Sequence, residues 1–276
     1  MQEIDYNIRC WMKGRTMSRR RDVIYYRDEL KDEFAGDHIK ARKIDGSYRY
    51  IRESCMERFA HLFWYHGIAI PLAKAYMKVH FHHRVENRQV LRKAEGQGYY
   101  MYGNHTHPLG DAVIPTLVNR PVDVATIVHP NNVSMPFLGR ITPYLGAVPL
   151  PDDRVAMKHF LEALEHVIQK KNCIMIYPEA HIWPYYTKIR PFKDSSFRYP
   201  VQTHLPVFCL TNTYQRGKRE DVPQIVTYID GPFYANESLP AKDQKRMLRD
   251  QVYKTMCERA KNNTVELVRY VRERDE

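Results

Sequence analysis

From residue 99 onward the sequence alternates short apolar, β-prone runs with helical patterns, and this alternation restricts the possible folds most. The runs occupy residues 99–102, 122–128, 147–150, 173–177, 206–211 and 225–229. Helical patterns fall between most of them, at 111–118, at 135–144 with Pro143 interrupting, and at 154–170. The last is the clearest. Met157, Phe160, Leu161, Leu164, Val167 and Ile168 share one face, with Asp152 or Asp153 as N-cap. Strands joined through helices pair in parallel and are buried on both sides, so the expectation is an α/β fold with a mostly parallel central sheet flanked by helices. A strand and then a turn or short helix are expected over 85–94. An amphipathic helix is expected over 240–274, capped by Ser238, with Leu248, Val252, Met256, Leu267 and Val271 as its stripe. With 43% hydrophobic and 12% aromatic residues, the chain can build the core this requires.

The residues before the alternation divide into two parts. Residues 1–57 are polar and of mixed charge, read as an extension with short helices, free or packed on the body; Arg19, Arg20 and Arg21 form either a solvated face or a contact for lipid headgroups. Residues 59–73, FAHLFWYHGIAIPLA, carry no Lys, Arg, Asp or Glu, and Lys74 and Lys78 follow. Fifteen residues are too few to span a bilayer, and Gly67 and Pro71 break the run. Trp64, Tyr65 and the flanking lysines suit a helix lying in a membrane interface; a buried helix pair fits the same residues. The expected organisation is a polar extension (1–57), a membrane-interacting helical segment (58–84) and a catalytic α/β domain with a C-terminal helix (85–276).

A net charge of +11 favours anionic partners. Basic residues are interleaved with acids and no recognition motif appears, which argues against nucleic acid. Cys10, Cys55, Cys173, Cys209 and Cys257 are scattered without paired spacing, as in a reducing compartment, and the polar first residues do not read as a signal peptide.

Chemistry concentrates at the ends of two expected strands, where open α/β sheets gather ligands. The stretch 99–112, YYMYGNHTHPLGDA, ends its strand in Asn104 and His105, with His107 and Asp111 close behind. An imidazole beside a carboxylate can remove a proton from a hydroxyl while the carboxylate fixes the tautomer. Asp111 also suits a helix N-cap, and His107 is a rival base. Glu179 follows the strand 173–177 and would share the crevice of His105 and Asp111 if those strands are neighbours, there to bind acceptor hydroxyls or orient a basic group; a surface turn residue after Pro178 fits the same position. Lys188, Arg190 and Lys193 lie downstream, as a phosphate clamp or a solvated loop. Gly146, in GRITPYLGAVPLP, suggests either a tight turn or a close backbone approach offering N–H donors to a thioester oxygen.

In order and spacing these blocks resemble the glycerolipid acyltransferase superfamily, the glycerol-3-phosphate and lysophosphatidate acyltransferases. The first block is similar to Asn104-His105 with Asp111, and the second to Gly146-Ala147-Val148-Pro149-Leu150, preceded by Pro136-Phe137-Leu138-Gly139. The third is similar to Tyr177-Pro178-Glu179-Ala180-His181-Ile182 and the fourth to Leu205-Pro206-Val207-Phe208. Two departures are evident. Five residues separate His105 from Asp111 where the family has four, suggesting a one-residue bulge. Ala180 and Ile182 stand where the family has glycine and arginine, which moves the phosphate-binding cation to Arg190 or Lys193.

The resemblance implies acyl transfer from an acyl-CoA or acyl carrier protein thioester to a hydroxyl of lysophosphatidate, a related lysophospholipid or glycerol phosphate. His105 would be the base and Asp111 its partner. Asn104, His107, Gly146, Val148, Glu179, Arg190 and Lys193 would bind substrate. It implies no metal and no cofactor beyond the donor, and a peripheral, monotopic place on the phospholipid surface at the cytoplasmic face of the cell membrane. Two rivals are a metal-dependent hydrolase using His105, His107 and Asp111 with His129, His181 and His204, and a non-catalytic lipid-binding relative.

Overall fold

The computed structural model describes residues 22–34, 40–94, 96–217 and 222–273. Cys10 and the Arg19–Arg21 cluster lie outside them. At the centre is β3 (Tyr99–Gly103), every residue of which is buried. Its side chains alternate as a strand requires: Tyr99 and Met101 enter one core, Tyr100 and Tyr102 the other. On either side lie β6 (Cys173–Ile176) and β7 (Val207–Gln215), both parallel to it. With β2 (Arg84–Glu86), β4 (Val124–Val128), β5 (Ala147–Pro149) and β8 (Gln224–Phe233) they form a seven-stranded sheet in the order β2-β8-β7-β3-β6-β4-β5. All pairings are parallel except β7 with β8.

Helices cover both faces, as the alternation requires. The first core takes Met77 and Phe81 from α2 (Ile70–Phe81) and Ile114 and Val118 from α3 (Gly110–Asn119). The second takes Phe160 and Leu164 from α4 (Arg154–Gln169), Val201 from α5 (Arg198–Thr203), and Leu248, Val252 and Met256 from α6 (Ala241–Ala260). Asp153 caps α4, accepting the Ala156 N–H at 2.8 Å. Asp152 instead accepts the Ile44 N–H at 2.6 Å, joining the chain before the sheet to the end of β5.

Three expectations are corrected. Residues 135–144 do not form a helix but two 3-10 turns, Leu138–Arg140 and Thr142–Leu145. Pro143 supplies no N–H to a longer ladder. The chain then enters β5 through Gly146 at φ +88°, where a Cβ would lie 2.2 Å from the Val124 carbonyl oxygen. The C-terminal helix stops at Ala260. Asn263 ends it, accepting the Tyr214 N–H at 2.7 Å and donating to the Thr187 carbonyl at 2.8 Å. Beyond it Leu267 packs on the first core and Val271 lies in a strand, β9 (Val268–Arg272). The α6 N-cap is Pro240, because the Ser238 hydroxyl is spent on Asn236 at 2.7 Å.

The third correction concerns the N-terminal part. Its described residues before Ser54 contain no helix; they contain β1 (Asp22–Tyr26), which pairs in parallel with β9. Phe34 and Tyr26 pack on Trp183, and Ile44 is fully buried. This segment is therefore part of the fold's support.

Residues 55–81 form one unbroken helical run: α1 (Cys55–His61), a π-helical stretch Leu62–Ala69, then α2. Ser54 and Glu57 make a reciprocal capping box at its start. Pro71 lies inside this run, at the change from the π-helical stretch to α2, and supplies no N–H to it. Tyr65, Ile70, Ala73, Met77 and Phe81 face inward. Phe59, Leu62, Phe63, Leu72 and Val79 are exposed. No described helix is long and apolar enough to cross a membrane.

Candidate active site

Asn104 extends the β3–β7 ladder by one side chain. Its Nδ2 donates to the Asn212 carbonyl at 3.0 Å, and its Oδ1 accepts the Asn212 N–H at 2.8 Å. That fixes where the next residue, His105, leaves the sheet. The expected bulge is not in the strand: β3 stays in register with β7 through Gly103, and the fifth intervening residue is absorbed in the loop that follows.

His105 Nδ1 lies 2.8 Å from Asp111 Oδ2. The same oxygen accepts the backbone N–H groups of Thr106 at 2.7 Å and His107 at 2.9 Å, while Oδ1 accepts Asn212 Nδ2 at 3.3 Å. Asp111 stands in the first turn of α3, where the helix dipole favours an anion. It caps nothing; its lone pairs hold the loop and the ring. With Asp111 accepting, His105 carries its proton on Nδ1, and Nε2 becomes the basic nitrogen of a ring that is 24% exposed. The ring stacks on Tyr177, centroids 4.5 Å apart, and the Tyr177 hydroxyl donates to the Asp111 carbonyl at 2.5 Å.

Glu179 joins this group through the backbone. Its Oε2 accepts the His105 N–H at 3.3 Å and its Oε1 the Arg190 N–H at 3.2 Å. Arg190 Nη2 is 3.2 Å from Oε2 and also donates to the His181 carbonyl. The guanidinium lies over Trp183 at 4.8 Å. Both side chains are fully buried. Burial pushes the Glu179 carboxyl above its ordinary range, and Arg190 and the two amides oppose this. Of the two roles open to Glu179, binding an acceptor hydroxyl or orienting a basic group, the structure has the second, and the expectation that Arg190 meets a phosphate is corrected: the two side chains hold each other and the His105 backbone. Lys193 is exposed, beside Phe192, whose carbonyl accepts Arg249 of α6 at 2.9 Å.

His107 is also corrected as a rival base. It is fully buried against Phe81, Tyr185 and Tyr214. Its Nδ1 accepts the Gly110 N–H at 2.7 Å, so its imidazole caps the amino end of α3. Burial pulls its pKa down to about 4. Val148 sits on edge strand β5, three positions from β3, and Gly146 immediately precedes that strand. The Gly146 N–H turns to the Pro143 carbonyl at 3.4 Å and its carbonyl accepts Thr126 N at 2.8 Å, so the glycine serves close strand entry. Val148 is half-buried and pairs with Ile127.

The hydrolase ligand set does not converge. His129 caps a turn, His181 faces Glu33 and His204 faces Glu237.

Asn212 is missed by the sequence reading, although three consecutive polar residues, Thr211, Asn212 and Thr213, inside a strand buried from Val207 to Tyr214 are the signal that marks it. Its Oδ1 accepts the Thr227 hydroxyl at 2.6 Å, and Thr227 Oγ1 lies 2.8 Å from His83 Nε2. The Thr227 proton being committed to Asn212, His83 is the donor at that contact. Burial lowers the His83 pKa to about 4. Among the turns that join β4 to β5 opens a cleft of roughly 730 Å³ whose lining includes Lys40, Arg42, Arg52 and Arg140 with Phe137 and Tyr144.

Residues 79–212 match the family model described as Acyltransferase. The fold is similar to that of the 1-acyl-sn-glycerophosphate (LPA) acyltransferase PlsC from Thermotoga maritima. That likeness has a TM-score of 0.50 and 17% identity, covering 76% of this chain and 81% of that one. No curated protein matches the sequence significantly.

Proposed function

We propose that this chain, whose residues 79–212 match the acyltransferase family model, moves an acyl chain from a thioester to the hydroxyl of a lysophospholipid of the lysophosphatidate type. The observation that carries this is the 2.8 Å contact of His105 Nδ1 with a buried, four-donor Asp111 carboxylate. In the neutral ring this contact holds the hydrogen on Nδ1, which makes Nε2 the nitrogen open to a substrate proton.

In this reading Nε2 takes the proton of the acceptor hydroxyl. The alkoxide attacks the thioester carbonyl, the C–S bond breaks, and the imidazolium returns the proton to the departing thiolate. Asp111 stabilises the imidazolium between the two transfers. Donors are acyl-CoA or acyl carrier protein; no enzyme-bound acyl intermediate and no cofactor are needed. Because Arg190 is buried, the cations of the cleft among the β4–β5 turns are the better candidates for a phosphate headgroup, and Phe137 and Tyr144 there for apolar contact. The exposed apolar row of Phe59, Leu62, Phe63, Leu72 and Val79 supports peripheral attachment to a phospholipid surface, which we place at the cytoplasmic face of the cell membrane.

The test is transfer of labelled acyl groups from acyl-CoA and from acyl carrier protein to a panel of lysophospholipids and glycerol-3-phosphate. His105→Ala should abolish transfer while leaving the thermal midpoint in place; undiminished turnover would reject His105 as base. Trimming the helical run to test attachment would remove core residues such as Met77 and Phe81. Phe59→Asp with Phe63→Asp is the better variant, and should release the protein from anionic liposomes.

A further inference from the structure

Leu62–Ala69 adopts an eight-residue π-helix. Proteins use this conformation sparingly, mostly as single turns and frequently beside functional groups. Its consequence here is the relation of His61 to His66. Residues five apart on an α-helix point about 140° away from each other. Where the turn widens to i→i+5, as in the Ile70 N–H bond to the Tyr65 carbonyl, they lie one above the other. His61 and His66 thereby face the same group, Asp123, which stands just before β4.

His61 Nε2 lies 3.3 Å from Asp123 Oδ2, and His66 Nε2 lies 3.2 Å from Oδ1. The two imidazoles are 5.5 Å apart at 87°. The donor atoms of all three residues fall within 4.8 Å of one another, and no other group of three or more His, Cys, Asp or Glu among the described residues does this. The tautomer decides what this means. His61 Nδ1 is 2.8 Å from the Tyr144 carbonyl, which can only accept, so Nδ1 carries the hydrogen. In the neutral ring Nε2 then presents a lone pair to a carboxylate oxygen. Two acceptors do not attract, so something positive belongs between them: a proton on Nε2, or a metal ion.

The two histidine–carboxylate separations match a metal ion. With metal–ligand bonds of 2.0–2.1 Å and tetrahedral angles, neighbouring ligand atoms are separated by about 3.3 Å. Holding the far nitrogen of a ligating histidine on a backbone carbonyl is the usual way such a ring is oriented. Each side chain is about one-third exposed, which gives an ion a way in and room for a water as fourth ligand.

We propose that His61 and His66, through Nε2, and the Asp123 carboxylate bind one divalent transition-metal ion, with zinc the natural occupant of this donor set. This departs from the sequence reading, which expected no metal. The site is structural. Asp123 lies at the amino end of β4, whereas His105 follows the carboxyl end of β3, and both strands run parallel to β6. The ion therefore sits at the sheet edge opposite the His105–Asp111 pair. It pins the helical run bearing the exposed apolar row to the sheet.

The experiment uses the purified full chain, stripped with chelator and dialysed. Zinc is titrated calorimetrically and bound metal is counted by elemental analysis. One equivalent is expected in the wild type. His66→Gln and Asp123→Asn should each weaken binding at least tenfold, while His204→Gln, an exposed histidine elsewhere, should not change it. Zinc should raise the thermal midpoint of the wild type and not of His66→Gln. Should those variants fail to fold, cobalt(II) added to the wild-type chain still decides: four-coordinate nitrogen/oxygen bands displaced by zinc support the site, and an aqua-ion spectrum overturns it. Binding that is absent, or equal in wild type and both variants, also overturns it, as does an NMR titration showing His61 doubly protonated and indifferent to added zinc. None of these readouts requires acyl transfer.

Discussion

Asn212 donates its side-chain amide to Asp111 Oδ1 across 3.3 Å, so the acid that orients His105 is itself oriented from the neighbouring strand β7. The same asparagine ties its backbone to Asn104, the residue before the histidine. Its remaining polar atom is engaged by Thr227. One residue thus couples the exit of β3, the Asp111 carboxylate and the His83 contact.

Asn212→Ala should lower kcat by about 10- to 100-fold, the usual cost of removing an orienting partner, with little change in KM. The measurement is steady-state acyl transfer on the folded variant. A rise in KM at constant kcat would mean that Asn212 serves binding and not positioning.

Arg190→Ala should destabilise the fold by roughly 3–5 kcal/mol, because it leaves a fully buried carboxylate without its cation. Pairing it with Glu179→Gln should recover part of the loss. Lys193→Ala, at an exposed position, should shift stability by less than about 0.5 kcal/mol. Denaturant titration of the three variants checks this. A small loss in Arg190→Ala would show that Glu179 is held without its partner.

Acid should weaken the protein through His107 and His83. Both have folded pKa values near 4, below the ordinary histidine value of 6.5, so the unfolded chain binds more protons between those limits. Stability is therefore full above about pH 6.5 and falls as pH drops toward 4, by about 3 kcal/mol for His107 alone. Unfolding free energy measured from pH 7.5 to 4.5 should show this slope, and His107→Gln, if folded, should flatten it. An unchanged slope in that variant would place the proton uptake elsewhere.

Ala180 occupies the left-handed region at φ +65° on an exposed loop. A Cβ costs about 1–2 kcal/mol there, partly offset by the entropy a glycine adds to the unfolded chain. Ala180→Gly should therefore raise stability by up to about 1 kcal/mol without altering transfer. A loss of stability would mean that the alanine methyl makes a contact worth more than the strain.

Much of this was readable in one dimension. Alternation of apolar runs and amphipathic stretches announced a parallel sheet because a strand's two faces and a helix's stripe leave their periods in the sequence. The residues that cluster around the proposed base, Asn104, His105, Asp111 and Glu179, were legible because each follows or ends such a run, and neighbouring parallel strands bring their carboxyl ends to one edge. The misread segments had no local mark. Residues 268–272 carry a helical stripe as well as a strand pattern, and only β1, remote in sequence, supplies the partner that makes them a strand.

The sequence by itself determined the sheet, its covering helices and the edge where His105 and Asp111 would meet, since these follow from periodicity and short-range order. The tertiary structure alone decided which charges are spent on one another. Glu179 and Arg190 neutralise each other, His107 is sealed among rings, and His61 and His66 turn together toward Asp123. The reason is that burial and the directions of hydrogen bonds depend on neighbours distant along the chain, and a residue's type says nothing about what will be packed against it.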